Sequence, residues 1–264
     1  MISRLITALT HSKVFRALIG TPIKKFLSLV GFEIRSSKNL SIKPKDSDYF
    51  SSFLKGKIDC ILYVGANHGQ YFDQLRADFP EVPIYLYEPD PELVSKLKIR
   101  LEHAQNYFIR NCAVGSKFER KPFYLTSMES NLRLSSSLLK MAPKHEQWSK
   151  DSIQTKAIEV DVIPLDSENF EKYTSIYLKI DVQGYELEAF SGAQELLNNK
   201  IIAIDTEVSF HELYFEEANW LRLCAYLEDK NFNVFGIDPW GIYYKNYGEL
   251  LQADLQFVKA NLLA

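Results

Sequence analysis

Apolar residues along this chain fall into two periods. Five short runs are apolar at nearly every position: IDCILYV (58–64), PIYLYE (83–88), NYFIRNCAV (106–114), SIYLKID (175–181) and IIAIDTEVS (201–209). Such runs mark strands buried on both faces, the condition of parallel strands packed between helices. Between them the pattern predicts helices: one through Leu75, then 90–104, 185–198 and 217–230. The helix at 90–104 has the clearest start, with Asp90 as N-cap, Pro91 at the first position and acids in the first turn. NVFGID (233–238) and LQFVKA (255–260) read as a closing antiparallel pair. Strand and helix in regular alternation predict an α/β fold with a mostly parallel sheet and helices on both faces.

The alternation lapses between 116 and 175. Two β-like pieces, KPFYL (121–125) and TKAIEVDVI (155–163), flank residues 126–154, which include Ser127, Ser130, Ser135, Ser136, Ser137, His145 and Trp148. A connection this long inside a compact domain is usually functional or disordered. We expect a lid over the site, with a passive insertion as the alternative. Trp148 is a candidate for stacking on a ring of a ligand or for plain packing. No internal repeat is evident.

Composition excludes low-complexity and wholly disordered classes, since 46% of the 264 residues are hydrophobic and 25% charged. The net charge of −3 hides a division. Residues 1–45 hold nine basic residues and one acid, Glu33, leaving 22 basic and 33 acidic residues for 46–264. We therefore read a basic leader and connector (1–45) ahead of one larger acidic domain (46–264). The leader groups Ile2, Leu5, Ile6 and Leu9, then Val14, Phe15, Leu18 and Ile19, then Ile23, Phe26, Leu27 and Val30, with a break at Gly20-Thr21-Pro22. Two short basic amphipathic helices are expected there. They would pack on the domain or on a twin subunit in a homo-oligomer, or lie on an anionic membrane through residues 1–35. An acidic body without a basic track argues against nucleic acid. Cys60, Cys112 and Cys224 include no CxxC pair and read as free thiols, which favours a reducing compartment. No apolar stretch reaches the ~18 residues of a membrane span, so the expected location is cytoplasmic, with peripheral membrane association through the leader as an addition.

Candidate chemistry sits where ligands bind in open parallel sheets, beyond the carboxyl ends of the strands. The first run ends in VGANHGQ, with Gly65 and Gly69 at the turn into the next helix, where backbone can approach a ligand closely. Glu88 ends the second run, 23 residues after Gly65, placed to accept hydrogen bonds from ribose hydroxyls. The fourth run ends in LKIDVQGYELEAFSGA, where Asp181 directly follows the strand and Gly184 permits a sharp turn. Asp181 either faces the ligand cleft or caps the next helix. Glu207 and His211, at and just past the end of the fifth run, are further candidates for handling a proton. No group has convincing metal-ligand spacing, although Asp181, Asp205 and Glu207 are acids that a divalent ion would need brought together.

VGANHGQ, YEPDPEL, NCAVG, LKIDVQGYELEAFSGA and TEVSFHELYFEE together resemble the FkbM-type methyltransferases over about residues 58 to 260, KIDVQGYE being similar to that family's KIDVEGxE. The resemblance implies a Rossmann-like seven-stranded sheet of the class I methyltransferase type. It also implies O-methylation by S-adenosyl-L-methionine, often of hydroxyls on sugars of glycans, glycolipids or natural products. By the same resemblance Gly65, Ala66, Asn67 and Gly69 would wrap the methionine end of the cofactor, Glu88 would hold the ribose, Cys112 and Ala113 would border the adenine, and Asp181 would stand by the methyl group. Two positions depart from the family: Tyr63 stands where it usually has Asp, and Gln183 where it has Glu. Two other readings stay open. One is a nicotinamide-dependent reductase, with Tyr226 and Lys230 at YxxxK spacing but the wrong glycine turn. The other is a cofactor-dead scaffold docking to a membrane or a glycan-assembly partner, which Tyr63 favours.

Overall fold

The computed structural model describes residues 32–34, 42–44, 49–127, 133–148, 153–244 and 250–263. The chain divides into two units, Met1–Tyr49 and Phe50–Ala264. In the first, the described residues pair as antiparallel strands, Phe32–Ile34 with Ile42–Pro44, and Glu33 lies opposite Lys43. Beyond the last apolar group of the expected leader helices, at Val30, the chain is extended over Phe32–Ile34, as suits an aromatic and a β-branched residue. The two leader helices, and the membrane contact read from them, lie outside the described residues.

From Tyr49 onward the elements are α1 (Tyr49–Leu54), β1 (Cys60–Val64), α2 (Phe72–Asp78), β2 (Ile84–Tyr87), α3 (Pro91–Arg100), β3 (Tyr107–Arg110), β4 (Ala113–Val114), β5 (Glu119–Ser127), α4 (Pro143–Trp148), β6 (Ile153–Ile163), β7 (Ile176–Ile180), α5 (Glu186–Ser191), α6 (Gln194–Asn199), β8 (Ile201–Ser209), α7 (Trp220–Asp229), β9 (Phe232–Tyr244) and β10 (Leu250–Lys259). The main sheet has seven strands in the order β3-β2-β1-β7-β8-β10-β9. Six run in one direction, and β10 runs antiparallel to both of its neighbours, β8 and β9. The order reverses between β1 and β7, so the crevice beyond their carboxyl ends is where a ligand belongs.

All residues of β1, β2 and β7 are buried, which is why their sequences are apolar runs and not alternations. Alternate side chains enter two cores. Leu62, Val64, Tyr85, Tyr87, Leu178 and Ile180 pack on one face with Phe190, Leu197 and Phe257. Ile61, Tyr63, Ile84, Leu86 and Tyr177 pack on the other with Phe72 and Leu97. The α3 start is as the sequence predicts: the Asp90 carboxylate accepts the Glu92 N–H, with Pro91 at the first helical position.

Two expected elements are divided. The strand read over 106–114 leaves the main sheet after Arg110, because the Asn111 amide donates to the carbonyls of Glu88 and Pro89 and turns the chain. Ala113–Val114 then pairs with β6, forming with the β5–β6 hairpin a separate three-stranded sheet. The helix read over 185–198 breaks at Gly192, where a Cβ would stand 1.9 Å from the Gly115 carbonyl oxygen. The Asp166 carboxylate accepts the N–H groups of Glu195 and Leu196 at 2.9 and 3.0 Å, which restarts the helix as α6.

Candidate active site

A cavity of about 470 Å³ opens beyond the carboxyl ends of β1, β2, β7 and β8, within the size range of small-molecule sites. The β1 turn forms its floor. Gly65 (φ +77°) and Gly69 (φ +79°) adopt the left-handed conformation, and so does Asn67 (φ +49°), whose short polar side chain tolerates it. The N–H groups of Gly65 and Ala66 both donate to the Tyr87 carbonyl, which ties the turn to β2. Gly65 touches the β7 side as well: a Cβ there would lie 1.8 Å from the Asp181 carbonyl oxygen.

Glu88, just past β2, is 3% exposed and lines the cavity. Its carboxylate accepts the N–H of Asn67 at 2.7 Å and of Asp90 at 2.8 Å. Burial raises its pKa to about 7, although those two hydrogen bonds favour the ionised form. Cys112 and Ala113 line the same cavity beside Glu88. The Cys112 thiol, pushed up to about 12 by burial, is neutral at physiological pH.

Asp181 and Glu207 line the opposite wall, bridged by Gln183. Gln183 takes a left-handed φ of +55° beside Gly184, a backbone departure of the sort concentrated at functional turns. Beneath them Lys179 pairs with Asp205 at 2.9 Å, both nearly fully buried, and the ammonium lies 4.1 Å from the Tyr71 ring centroid. Burial works against that charge, but Asp205 and Asp254 together outweigh it and hold the lysine pKa above its ordinary value.

Part of the expected lid region faces the cavity. Residues 133–138 run from the Asn67 amide, which donates to the Arg133 carbonyl, to the Ser137 hydroxyl, which donates to the Gln183 carbonyl at 2.7 Å. Arg133, Leu134, Ser135, Ser136 and Leu138 contribute to the lining. The Arg133 guanidinium pairs with Asp90 and, at 2.7 Å, with Glu92. His145 on α4 also lines the cavity, 6% exposed, its ring edge against Tyr214. The Trp148 side chain lies outside the described positions.

Of the residues singled out in the sequence, the structure gathers Gly65, Asn67, Glu88, Cys112, Ala113, Asp181 and Glu207 around one cavity. Ala66 and Gly69 shape the turn without lining it. His211 is not brought in: it lies outside the cavity wall, with Lys144 donating to its Nδ1 at 2.9 Å. Asp205 is taken by Lys179, and among the described residues no group of three His, Cys, Asp or Glu is arranged to hold a metal ion. Tyr63 is fully buried in the core against Tyr71, ring centroids 6.1 Å apart, and leaves no carboxylate at that place. Ser135, Ser136 and His145, named in the sequence only as part of the lid-like segment, line the cavity as well. Gln70, Tyr71, Arg133, Tyr214 and Gln252 are not singled out by the sequence, although Gln70 lies within VGANHGQ and Tyr214 within TEVSFHELYFEE. Tyr226 donates to the Phe190 carbonyl and stacks on that ring, away from the cavity, which removes the structural basis for a reductase.

Three comparisons bear on this geometry. A family model described as the methyltransferase FkbM domain matches residues 64–234. No curated protein matches the sequence. Among solved structures, the precorrin-6y C5,15-methyltransferase of Geobacter metallireducens aligns with TM-score 0.42 and 12% identity, over 86% of this chain and 94% of that one. An rRNA methylase of Streptococcus thermophilus gives 0.42 and 11%, over 79% and 93%. The N-methyltransferase NodS of Bradyrhizobium japonicum, in complex with S-adenosyl-L-homocysteine, gives 0.42 and 8%, over 79% and 82%. With the family model covering most of the chain and the seven-stranded sheet placing a glycine turn, a strand-end glutamate and an acidic pair about one cavity, the chain belongs to the FkbM-domain family of S-adenosyl-L-methionine-dependent methyltransferases.

Proposed function

We propose that this enzyme is an O-methyltransferase acting on a hydroxyl of a sugar, in a glycan, glycolipid or natural product. The observation that carries the reading is the polarity of the wall around Asp181. Asp181 and Glu207 present carboxylates, and the buried Nδ1 of His145 has no hydrogen-bond partner among the described residues. Burial lowers the His145 pKa to about 4, and the ring is hydrogen-bonded to the Leu213 backbone, so at neutral pH its bare nitrogen is an acceptor. A wall of acceptors suits a ligand that brings several donors, as adjacent sugar hydroxyls do.

The residues present fit the methyl donor. Glu88 is placed for its ribose hydroxyls, and Cys112 and Ala113 for its base. The buried Gln70 Oε1, without a hydrogen-bond partner among the described residues, is an acceptor for its amino group, the task that Tyr63 cannot perform. When bound, the donor supplies an electrophilic methyl group on a sulfonium that leaves as a neutral thioether. The enzyme's remaining work is alignment and removal of the hydroxyl proton, for which Asp181 is the base or orienting group.

The test is transfer from methyl-labelled S-adenosyl-L-methionine to a panel of glycosides, glycolipids and sugar-bearing natural products, with amines and RNA as competing acceptors. Label on a sugar oxygen supports the reading, and label confined to nitrogen or RNA overturns it. Asp181→Asn is expected to bind S-adenosylhomocysteine normally and to lose about 100-fold or more of its turnover. Unchanged turnover would remove Asp181 from the mechanism.

Residues 133–148 act, in this reading, as a cover fastened by Arg133. Arg133→Met is expected to release S-adenosylhomocysteine about fivefold faster, since partly exposed ion pairs contribute about 1 kcal/mol or less. Stopped-flow dissociation at rising salt checks this, because the difference should shrink as the pair is screened. Among the described residues no helix is long and apolar enough to cross a membrane. We further propose a cytoplasmic location, supported by the free thiols of Cys60, Cys112 and Cys224. Residues 1–35 are proposed as the contact with anionic lipid or a twin subunit.

A further inference from the structure

Asp181, Gln183 and Glu207 form one hydrogen-bonded unit in the cavity wall. Gln183 Nε2 donates to Asp181 Oδ1 at 2.7 Å and to Glu207 Oε2 at 2.8 Å. The Tyr214 hydroxyl donates to Gln183 Oε1 at 2.7 Å, which fixes the amide with its NH₂ group between the two acids. Gln252 Nε2 donates to the same Glu207 oxygen at 2.6 Å. The two carboxylates therefore receive neutral amide donors. Lys179, whose charge acts on Asp181, is already committed to Asp205.

The surroundings are rich in other acids and include one cation, Lys179. Asp181 faces Asp205 on β8 and Glu186 on α5, with Tyr63 on β1 nearby. Glu207 faces Asp254 on β10, Glu186, Glu217 beyond β8 and the Tyr214 phenol. Burial lifts Asp181 above the ordinary aspartate value, with Asp205 adding to it against the opposing Gln183 hydrogen bond and Lys179 charge, and burial with the surrounding acids lifts Glu207 well above the glutamate value. Two buried acids tied through one amide titrate as a pair, and the second charge is far harder to place than the first.

We infer that the Asp181–Gln183–Glu207 unit of the resting enzyme holds one proton on its two carboxylates and gives it to solvent when a sulfonium enters the cavity, so that a free carboxylate faces the acceptor hydroxyl only when the methyl donor is loaded. A cation in the cavity stabilises the doubly ionised pair, and the neutral thioether product does not. On transfer, the acceptor oxygen gains the methyl group, the sulfonium becomes a thioether, and the hydroxyl proton passes to the pair, which restores the resting state. Gln183 is then a positioning residue that lets the acids share a proton without an intervening charge. In this chain it replaces the Glu usual in the family, which would add a third carboxylate. The inference rests on the S-adenosyl-L-methionine assignment and not on the identity of the acceptor.

The test is isothermal calorimetry of the full-length protein with S-adenosylmethionine and with S-adenosylhomocysteine, each in two buffers of different ionisation enthalpy, across pH 6 to 9. The two ligands share a ribose, so any proton exchanged at Glu88 cancels between them. Below both the free and the loaded pKa of the pair no proton is released, and above both none remains. Between them, S-adenosylmethionine is expected to release up to about one proton more than S-adenosylhomocysteine. The ratio of their affinities shifts toward S-adenosylmethionine by up to about tenfold per pH unit there. Glu207→Gln is expected to abolish the difference while both ligands still bind, and Gln183→Glu to keep it at least as large. Equal proton release by the two ligands in the wild type, a comparison that needs no variant, overturns the inference. Failure of both ligands to bind would instead overturn the cofactor assignment beneath it.

Discussion

Gly65→Ala is expected to disrupt the junction of the two central strands and, with it, the ligand turn. Gly65 has φ +77°, and an added Cβ would lie 1.8 Å from the Asp181 carbonyl oxygen and 2.8 Å from its carbon. Both are backbone atoms, so no side chain can rotate away. The same stretch is held by the Asp181 N–H donating to the Val64 carbonyl at 3.0 Å, so relief means separating β1 from β7. We expect a loss of about 3–5 kcal/mol in urea unfolding, combining overpacking with left-handed backbone strain, and loss of S-adenosylhomocysteine binding. Gly56 provides the control: its φ is +74°, but a Cβ there meets nothing within 4 Å. Gly56→Ala therefore carries only the strain, about 1–2 kcal/mol. Equal effects at the two glycines would show that the contact with Asp181 is not what constrains Gly65.

Lys179→Met is expected to cost nearly as much by a different route. Lys179 and Asp205 form an ion pair at 2.9 Å with side-chain exposures of 5% and 6%, in the middle of the sheet. Removing one partner of such a pair leaves an uncompensated buried charge, at about 3–5 kcal/mol, whereas replacing both with apolar groups is often neutral. The double variant Lys179→Met, Asp205→Leu should thus recover most of the lost stability in urea titrations. A double variant no more stable than Lys179→Met would mean that the acids Asp254 and Asp181, and not Asp205 alone, are what the lysine compensates. The single variant also withdraws the positive charge that lowers the Asp181 pKa, so the acidic pair would hold its proton to higher pH.

The parts of the fold that rest on burial were legible before any coordinates. β1, β2 and β7 are covered on both faces, and their apolar runs say so. The errors fall where one tertiary contact decides the local path. NYFIRNCAV reads as one strand because periodicity carries no sign that the Asn111 side chain will bind two carbonyls of the neighbouring turn. Helix 185–198 reads as continuous because nothing nearby in sequence announces the Gly115 carbonyl against Gly192. At the site the acids were visible, since a carboxylate ending an apolar strand is conspicuous, and Glu88, Asp181 and Glu207 all do so. The neutral groups that organise them were not. Gln183 alone offered a signal, as the departure from Glu within KIDVQGYE. Gln252 and Tyr214 arrive from distant segments, and Arg133 sits in a stretch whose sequence gives no hint that it reaches Asp90 and Glu92.

The division of strands into two sheets has an evolutionary consequence. Glu88, Asp181 and the turn after β1 hang from the seven-stranded sheet, whereas β5 and β6, which flank residues 133–148 in sequence, belong to the small three-stranded one, which shares no strand with it. Insertions, deletions or wholesale replacement between Ser127 and Ile153 leave every ladder of the large sheet intact. A lineage can therefore vary residues 133–148 without breaking a strand pairing of the large sheet, provided it keeps the contacts by which Arg133 reaches Asp90 and Glu92 and Ser137 reaches Gln183.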